Sequence, residues 1–89
     1  MTIKNSINHK KFVDCYLFGS TVYSETPSDI DIAIVYDNQH IGINEAIQYR
    51  KDIIACLSES NNMDVDAILL SKEEEKEVAF LANAKHILL

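Results

Sequence analysis

Alternation of apolar and polar residues along the chain predicts three β-strands. The run VDCYLF at residues 13–18 is rich in β-branched and aromatic residues and stops at Gly19. The run IDIAIVY at 30–36 places three isoleucines on one face of a strand. A third run, MDVDAILL at 63–70, follows the turn-like segment SESNN and ends at Ser71.

Two helices are predicted, one between the last two strands and one after them. Ser71 and Glu74 match a capping box, so a second helix is expected from Lys72 to about Ala84. The first helix is expected from about Asn44 to Ser58, because apolar residues recur there at helical spacing. These positions are Ile43, Ala46, Ile47, Ile54 and Leu57.

The remaining segments are less regular. The segment GSTVYSETPS at 19–28 holds the only proline and several hydroxyl residues, which predicts a loop, with one helical turn after Ser20. The final HILL predicts an edge strand, and the first eleven residues predict a short helix. The order is therefore strand, strand, helix, strand, helix. With 89 residues, the chain is expected to form one domain over 1–89.

Charge and composition narrow the function. The net charge is −6, and no run rich in lysine or arginine is present, so a long nucleic acid is a poor candidate partner. Cys15 and Cys56 lack CxxC spacing and are interpreted as reduced thiols. No signal peptide, lipidation motif or long apolar stretch is recognisable, which favours a cytoplasmic protein without a membrane partner. A domain of this size is compatible with self-association or a stabilising partner.

Asp29 and Asp31 are the first candidate functional residues. In a strand they would project from the face opposite the isoleucines, with Cα atoms about 6.5–7 Å apart. Two neighbouring carboxylates repel each other, and Mg²⁺, which prefers hard oxygen ligands, would compensate their charge. An alternative is that the strand begins at Ile30, with Asp29 in the preceding turn and Asp31 solvated.

The third run repeats this spacing with Asp64 and Asp66. If its strand lies beside the first pair, Asp66 adds a carboxylate to the same site, whereas Asp64 is better interpreted as a strand-entry residue. Gly19 lacks a Cβ, so its backbone can approach a phosphate closely, and Ser20 adds a hydroxyl group. A Gly-Ser pair alone is usually a plain turn, but here it precedes Asp-x-Asp.

Together these segments resemble the nucleotidyltransferase superfamily typified by DNA polymerase β, most closely its minimal nucleotidyltransferase branch. The matching pieces are LFGS at 17–20, SDIDIAIV at 28–35 and VDAILL at 65–70, in the order of the family. The last helix and HILL are also similar, so the resemblance covers nearly the whole chain. It implies an α/β (α+β) fold in which helices flank a small mixed β-sheet.

The resemblance also implies a reaction and its residues. Gly19 and Ser20 would hold the terminal phosphates of a nucleoside triphosphate, with ATP as the expected substrate. Asp29 and Asp31 would bind two Mg²⁺ ions, and Asp66 would hold the ion that lowers the pKa of an acceptor hydroxyl. The acceptor would then attack the α-phosphate and take a nucleotidyl group, expected to be adenylyl. A two-metal clamp stabilises charge on both the attacking and the leaving oxygens.

Members of this branch are commonly paired with a helical HEPN protein, to which they transfer adenylyl groups as antitoxins. The resemblance thus implies a protein partner. However, the family usually continues Gly-Ser with an arginine and a glycine, whereas residues 21–28 read TVYSETPS. An alternative is therefore a binding module with weak or no catalysis, which neutralises its partner by forming a complex. A hydrolytic metal site is a third hypothesis, but it leaves Gly19 and Ser20 unexplained.

Overall fold

The computed structural model describes residues 7–19, 29–83 and 85–89. Four strands and three helices follow one another in these ranges. They are β1 (Val13–Phe18), β2 (Asp29–Tyr36), α1 (Ile43–Asn61), β3 (Asp64–Ser71), α2 (Lys72–Val78), α3 (Phe80–Asn83) and β4 (His86–Leu88). The three strands expected from alternation and the edge strand expected from HILL are confirmed to within one or two residues.

The four strands form one mixed sheet in the order β3-β2-β1-β4. β1 pairs with β2 and with β4 in antiparallel orientation, and β2 pairs with β3 in parallel orientation. Parallel neighbours need a crossover between them, and α1 supplies it. The expected architecture, a small mixed sheet with flanking helices, is therefore confirmed.

The hydrophobic core lies between the sheet and α1. Ile30, Ile32 and Ile34 are completely buried on one face of β2, as the alternation predicted. From α1, the buried residues packed in this core are Ala46, Tyr49, Ile53 and Leu57. Their spacing of three or four residues makes one continuous stripe along the helix.

The apolar residues whose periodicity predicted α1 do not all face the core. Ile43 and Ile47 remain 51% and 38% exposed. Ile47 follows the buried Ala46 by one residue, a rotation of about 100° around the helix, which carries it out of the stripe. Ile43 is the first residue of the helix. Tyr49 takes a core position that the aliphatic pattern did not single out.

The start of α2 agrees with the sequence, but its end does not. The Glu74 amide donates to Ser71 Oγ at 3.1 Å, and the Ser71 amide donates to Glu74 Oε1 at 3.0 Å, which completes the expected capping box. The single helix expected from Lys72 to Ala84 is interrupted at Ala79, which adopts the left-handed conformation with φ 49°. No glycine or proline in this segment signals the break.

The break at Ala79 leads to a stability prediction. A left-handed conformation costs an L-residue about 1–2 kcal/mol, and glycine avoids this cost. We expect Ala79→Gly to raise the free energy of unfolding by about 0.5–1 kcal/mol, measured by urea denaturation. The matched control is Ala82→Gly, an exposed position inside α3, which should lower it by up to about 1 kcal/mol. Destabilisation by both substitutions would contradict the left-handed assignment.

Two expected elements fall wholly or partly outside the described residues. Of the helix expected over the first eleven residues, 1–6 are not described, and 7–11 are not helical. The loop from Ser20 to residue 28, with its expected helical turn, is not described either. Among the helices in the described ranges, none is long and apolar enough to cross a membrane.

Candidate functional site

The parallel register between β2 and β3 brings four aspartates to one end of the sheet. Asp29 is paired with Asp64, and Asp31 is paired with Asp66. Register partners on adjacent strands point to the same side, and their backbones are about 4.8 Å apart. The strand that carries Asp64 and Asp66 therefore lies beside the strand that carries Asp29 and Asp31, as the hypothesis of a shared site requires.

These carboxylates lie on the face opposite the isoleucine core. β2 begins at Asp29, so Asp29 belongs to the strand and not to a preceding turn. Asp29 and Asp31 are partly buried, whereas Asp64 and Asp66 are exposed on the edge strand. Asp64 is the first residue of β3, in agreement with its interpretation as a strand-entry residue, and is the register partner of Asp29.

The end of β1 reaches the same position. Phe18 is the register partner of Asp31, and Gly19 follows with φ +65°. A Cβ placed on Gly19 would lie only 2.6 Å from Asp31 Oδ2. Only a residue without a side chain permits this approach of backbone and carboxylate. Ser20, the other residue expected to bind phosphate, lies outside the described residues.

The donor set suits Mg²⁺ by its chemistry, since carboxylate oxygens are the ligands this ion prefers. As the side chains are oriented, however, no three His, Cys, Asp or Glu residues within 7–19, 29–83 and 85–89 form a group able to hold a metal ion. Mg²⁺ needs its ligand oxygens at about 2.0–2.1 Å, so binding by Asp29, Asp31 and Asp66 together requires their side chains to rotate. The shared metal site remains a prediction.

Other reactive side chains nearby are poorly suited to acid–base or nucleophilic chemistry. Tyr16 lies on the same sheet face, where burial raises the pKa of its hydroxyl and the carboxylates of Asp14 and Glu75 raise it further. Burial likewise raises the pKa of the Cys15 thiol, which contacts the Tyr49 hydroxyl at 3.6 Å on the core side. Both groups stay protonated near neutral pH, so neither Tyr16 nor Cys15 is a candidate base or nucleophile for this site.

A polar cleft adjoins the carboxylates at the edge of the sheet. Its volume is about 380 Å³, and it is lined by Ser58, Asn62, Met63 and Asp64. Asn62 ends α1 in the left-handed conformation, and Asp64 begins β3 two residues later. The cleft therefore opens where the connection from α1 enters the acidic end of β3.

Comparison with known proteins gives one match. The model of the family described as Polymerase beta, Nucleotidyltransferase matches residues 1–89. No curated protein and no solved structure matches the chain. The family match agrees with the superfamily to which the sequence resemblance pointed, and the mixed sheet with flanking helices is consistent with the fold of that superfamily.

Proposed function

Because the chain belongs to the polymerase β nucleotidyltransferase family, we propose that it transfers a nucleotidyl group from a nucleoside triphosphate to an acceptor hydroxyl with Mg²⁺ as cofactor. The observation that carries the proposal is the register of β2 and β3, which sets Asp31 beside Asp66, with Gly19 against the Asp31 carboxylate. The ends of three strands thus supply both a carboxylate set and a glycine backbone able to approach a phosphate.

In the proposed mechanism the protein mainly positions the reactants. Asp29 and Asp31 would bind two Mg²⁺ ions, and Asp66 would hold the ion that acts on the acceptor hydroxyl. Bound Mg²⁺ lowers the pKa of that hydroxyl and stabilises charge on the leaving oxygen. The acceptor hydroxyl gives up its proton to solvent water, and its oxygen forms a bond to the α-phosphorus. The bond between the α-phosphorus and the oxygen bridging to the β-phosphate breaks, so pyrophosphate departs with that bond's electron pair. The Gly19 backbone, with Ser20, supports the terminal phosphates.

We further propose that the chain acts as a minimal nucleotidyltransferase, uses ATP, and modifies a helical HEPN-type partner as its antitoxin. The sequence resemblance to the minimal branch supports this assignment. The exposed positions of Asp64 and Asp66 on the edge strand leave the acceptor side of the site open to another molecule. The cleft beside Asp64 extends this open side.

A second candidate function is a binding module that neutralises its partner without catalysis. One observation favours it: residues 21–28, TVYSETPS, which follow Gly19 and Ser20 in the sequence, contain neither arginine nor glycine. An arginine there would have supplied a bidentate contact to phosphate. The two functions differ in whether neutralisation of the partner depends on the aspartates.

Substitution of Asp66 tests the metal site. Like charges directly opposite each other in a sheet are destabilising, so Asp66→Asn should raise the free energy of unfolding of metal-free protein by about 0.2–1 kcal/mol. The same change should weaken binding of ATP with Mg²⁺ at least about tenfold, because it removes a charge-compensating ligand. Urea denaturation with EDTA and calorimetric titration measure the two effects.

The control for this experiment is Asp14→Asn. It removes the same charge from the same sheet face, at an exposed position of β1 paired with Val35, four residues along β2 from Asp31. We expect it to leave binding of ATP with Mg²⁺ unchanged. Equal binding heats for wild type and Asp66→Asn would refute the proposed role of Asp66.

A further inference from the structure

One row of side chains crosses all four strands at the level of the candidate site. Asp31 is paired with Asp66 on one side and with Phe18 on the other, and Phe18 is in turn paired with His86 of β4. All four residues therefore project from the same face. With adjacent strands about 4.8 Å apart, Phe18 lies one strand spacing from Asp31, and His86 lies two.

The aromatic end of this row continues into α3. Phe80 packs edge-to-face against Phe18, with ring centroids 5.1 Å apart and an interplanar angle of 90°. Phe18 and Phe80 are partly exposed, and His86 is exposed. Neither phenylalanine belongs to the hydrophobic core cluster, which lies on the opposite face of the sheet. We call Phe18, Phe80 and His86 the aromatic platform.

Ala79, immediately before Phe80, adopts a strained backbone conformation. The left-handed Ala79 ends α2, and its amide donates to the Glu75 carbonyl at 2.8 Å. The Asn83 backbone amide and its side-chain Nδ2 both donate to the Ala79 carbonyl, at 3.2 and 2.9 Å. These bonds fix α3 after the break, at the point where Phe80 meets Phe18. The break thus completes an aromatic surface beside the carboxylates.

We propose that the aromatic platform binds the nucleobase of the triphosphate by stacking. This inference rests on the proposed nucleotidyl transfer, because it takes the α-phosphate to be held at Asp29 and Asp31. A ribose separates that phosphate from the base, and its span is comparable with the one to two strand spacings between Asp31 and the platform. No other part of a nucleoside triphosphate offers an apolar face for aromatic rings.

Stacking predicts a particular selectivity. Aromatic rings contact the π-face of a base and not its hydrogen-bonding edge, so they tolerate different bases. Purines present more area than pyrimidines, and we expect ATP and GTP to bind within about threefold of each other and more tightly than CTP and UTP. The substrate class assigned by the structure is therefore purine nucleoside triphosphates.

The test compares nucleotides with inorganic tripolyphosphate, each titrated with Mg²⁺ into wild type, Phe80→Leu and Phe80→Tyr. Leucine keeps the apolar packing against Phe18 but removes the aromatic ring, whereas tyrosine keeps the ring. We expect Phe80→Leu to weaken ATP binding about tenfold, as loss of one stacking contact does, and to leave tripolyphosphate binding unchanged. Phe80→Tyr should bind ATP like wild type. If Phe80→Leu is not folded by circular dichroism, His86→Ala at the exposed end of the platform replaces it, with the same expected pattern.

The outcomes separate this inference from the proposed function. Wild type that binds ATP, but no more tightly than tripolyphosphate, would overturn the aromatic platform and leave the phosphate and metal site intact. Unchanged ATP affinity in Phe80→Leu, or an equal loss for ATP and tripolyphosphate, would also overturn it. Failure of wild type to bind any triphosphate would overturn the proposed function and this inference together.

Discussion

Replacing Asp31 with asparagine is expected to lower nucleotidyl transfer at least about 10³-fold, the largest effect of any single substitution in this protein. Asp31 occupies the centre of the site, since it is the register partner of both Asp66 and Phe18, and its Oδ2 lies against Gly19. Loss of one carboxylate charge that holds the metal removes several kcal/mol of stabilisation from the charges that develop in the transition state. Each 1.36 kcal/mol lost lowers the rate about tenfold. Asparagine keeps the shape, so the loss reflects charge.

The measurement is mass spectrometry of the partner protein after co-production with wild type or variant, scored by the mass of an added nucleotidyl group. Asp14→Asn provides the matched control and should modify the partner as wild type does. If Asp31→Asn still neutralises the partner without modifying it, the binding-module function is favoured instead. Full modification by Asp31→Asn would contradict the site altogether.

The sequence predicted the parts of the site but not their relative positions. The spacing of Asp29 and Asp31, and that of Asp64 and Asp66, placed each pair on one face of its strand. Whether the two strands are neighbours, and whether they run parallel, depends on the α1 crossover and cannot be derived from spacing. A shift of one residue in the β2–β3 register would have turned Asp66 to the opposite face from its partner.

Several other features of the fold also depend on contacts that local sequence patterns do not determine. Capping chemistry predicted the start of α2 at Ser71, because both bonds of the capping box involve residues three positions apart. The end of that helix was missed, because alanine is a good helix former and nothing in the local sequence signals the left-handed conformation of Ala79. Ile47 was one of the apolar residues whose spacing predicted α1, but the orientation of α1 on the sheet leaves it exposed.

The aromatic platform was not predicted for a related reason. Phe18, Phe80 and His86 come from three different elements. Phe18 and His86 are neighbours in the sheet only because β4 pairs with β1, and Phe80 contacts Phe18 only because α3 follows the break at Ala79. The segment HILL was predicted to form an edge strand, but the strand it pairs with was not predicted. Local patterns identify elements well, and contacts between distant elements require the tertiary structure.

Gly19→Ala is the second substitution with a large expected effect, because it introduces both strain and a steric conflict. The positive φ of 65° costs alanine about 1–2 kcal/mol. The new Cβ would also lie 2.6 Å from Asp31 Oδ2, too close for non-bonded atoms. Since Oδ2 is the end of a rotatable side chain, the conflict is relieved when Asp31 turns away from the site. We therefore expect Gly19→Ala to lower the free energy of unfolding by about 1–2 kcal/mol, measured by urea denaturation. We also expect it to reduce nucleotidyl transfer nearly as much as Asp31→Asn does.

Gly42→Ala is the matched control, because a Cβ at Gly42 would meet nothing within 4 Å and the φ of Gly42 is −83°. Because Gly42 is the N-cap of α1, Gly42→Ala should lower the free energy of unfolding by no more than about 0.5–1 kcal/mol. It should leave nucleotidyl transfer unchanged. A double-mutant cycle then identifies the route of the Gly19 effect. If Gly19→Ala acts by displacing the Asp31 carboxylate, it should still lower stability in the Asp31→Asn background but lower transfer little further. Additive losses of transfer would instead mean that Gly19 contributes to the reaction independently of Asp31, through its own backbone contact with the triphosphate.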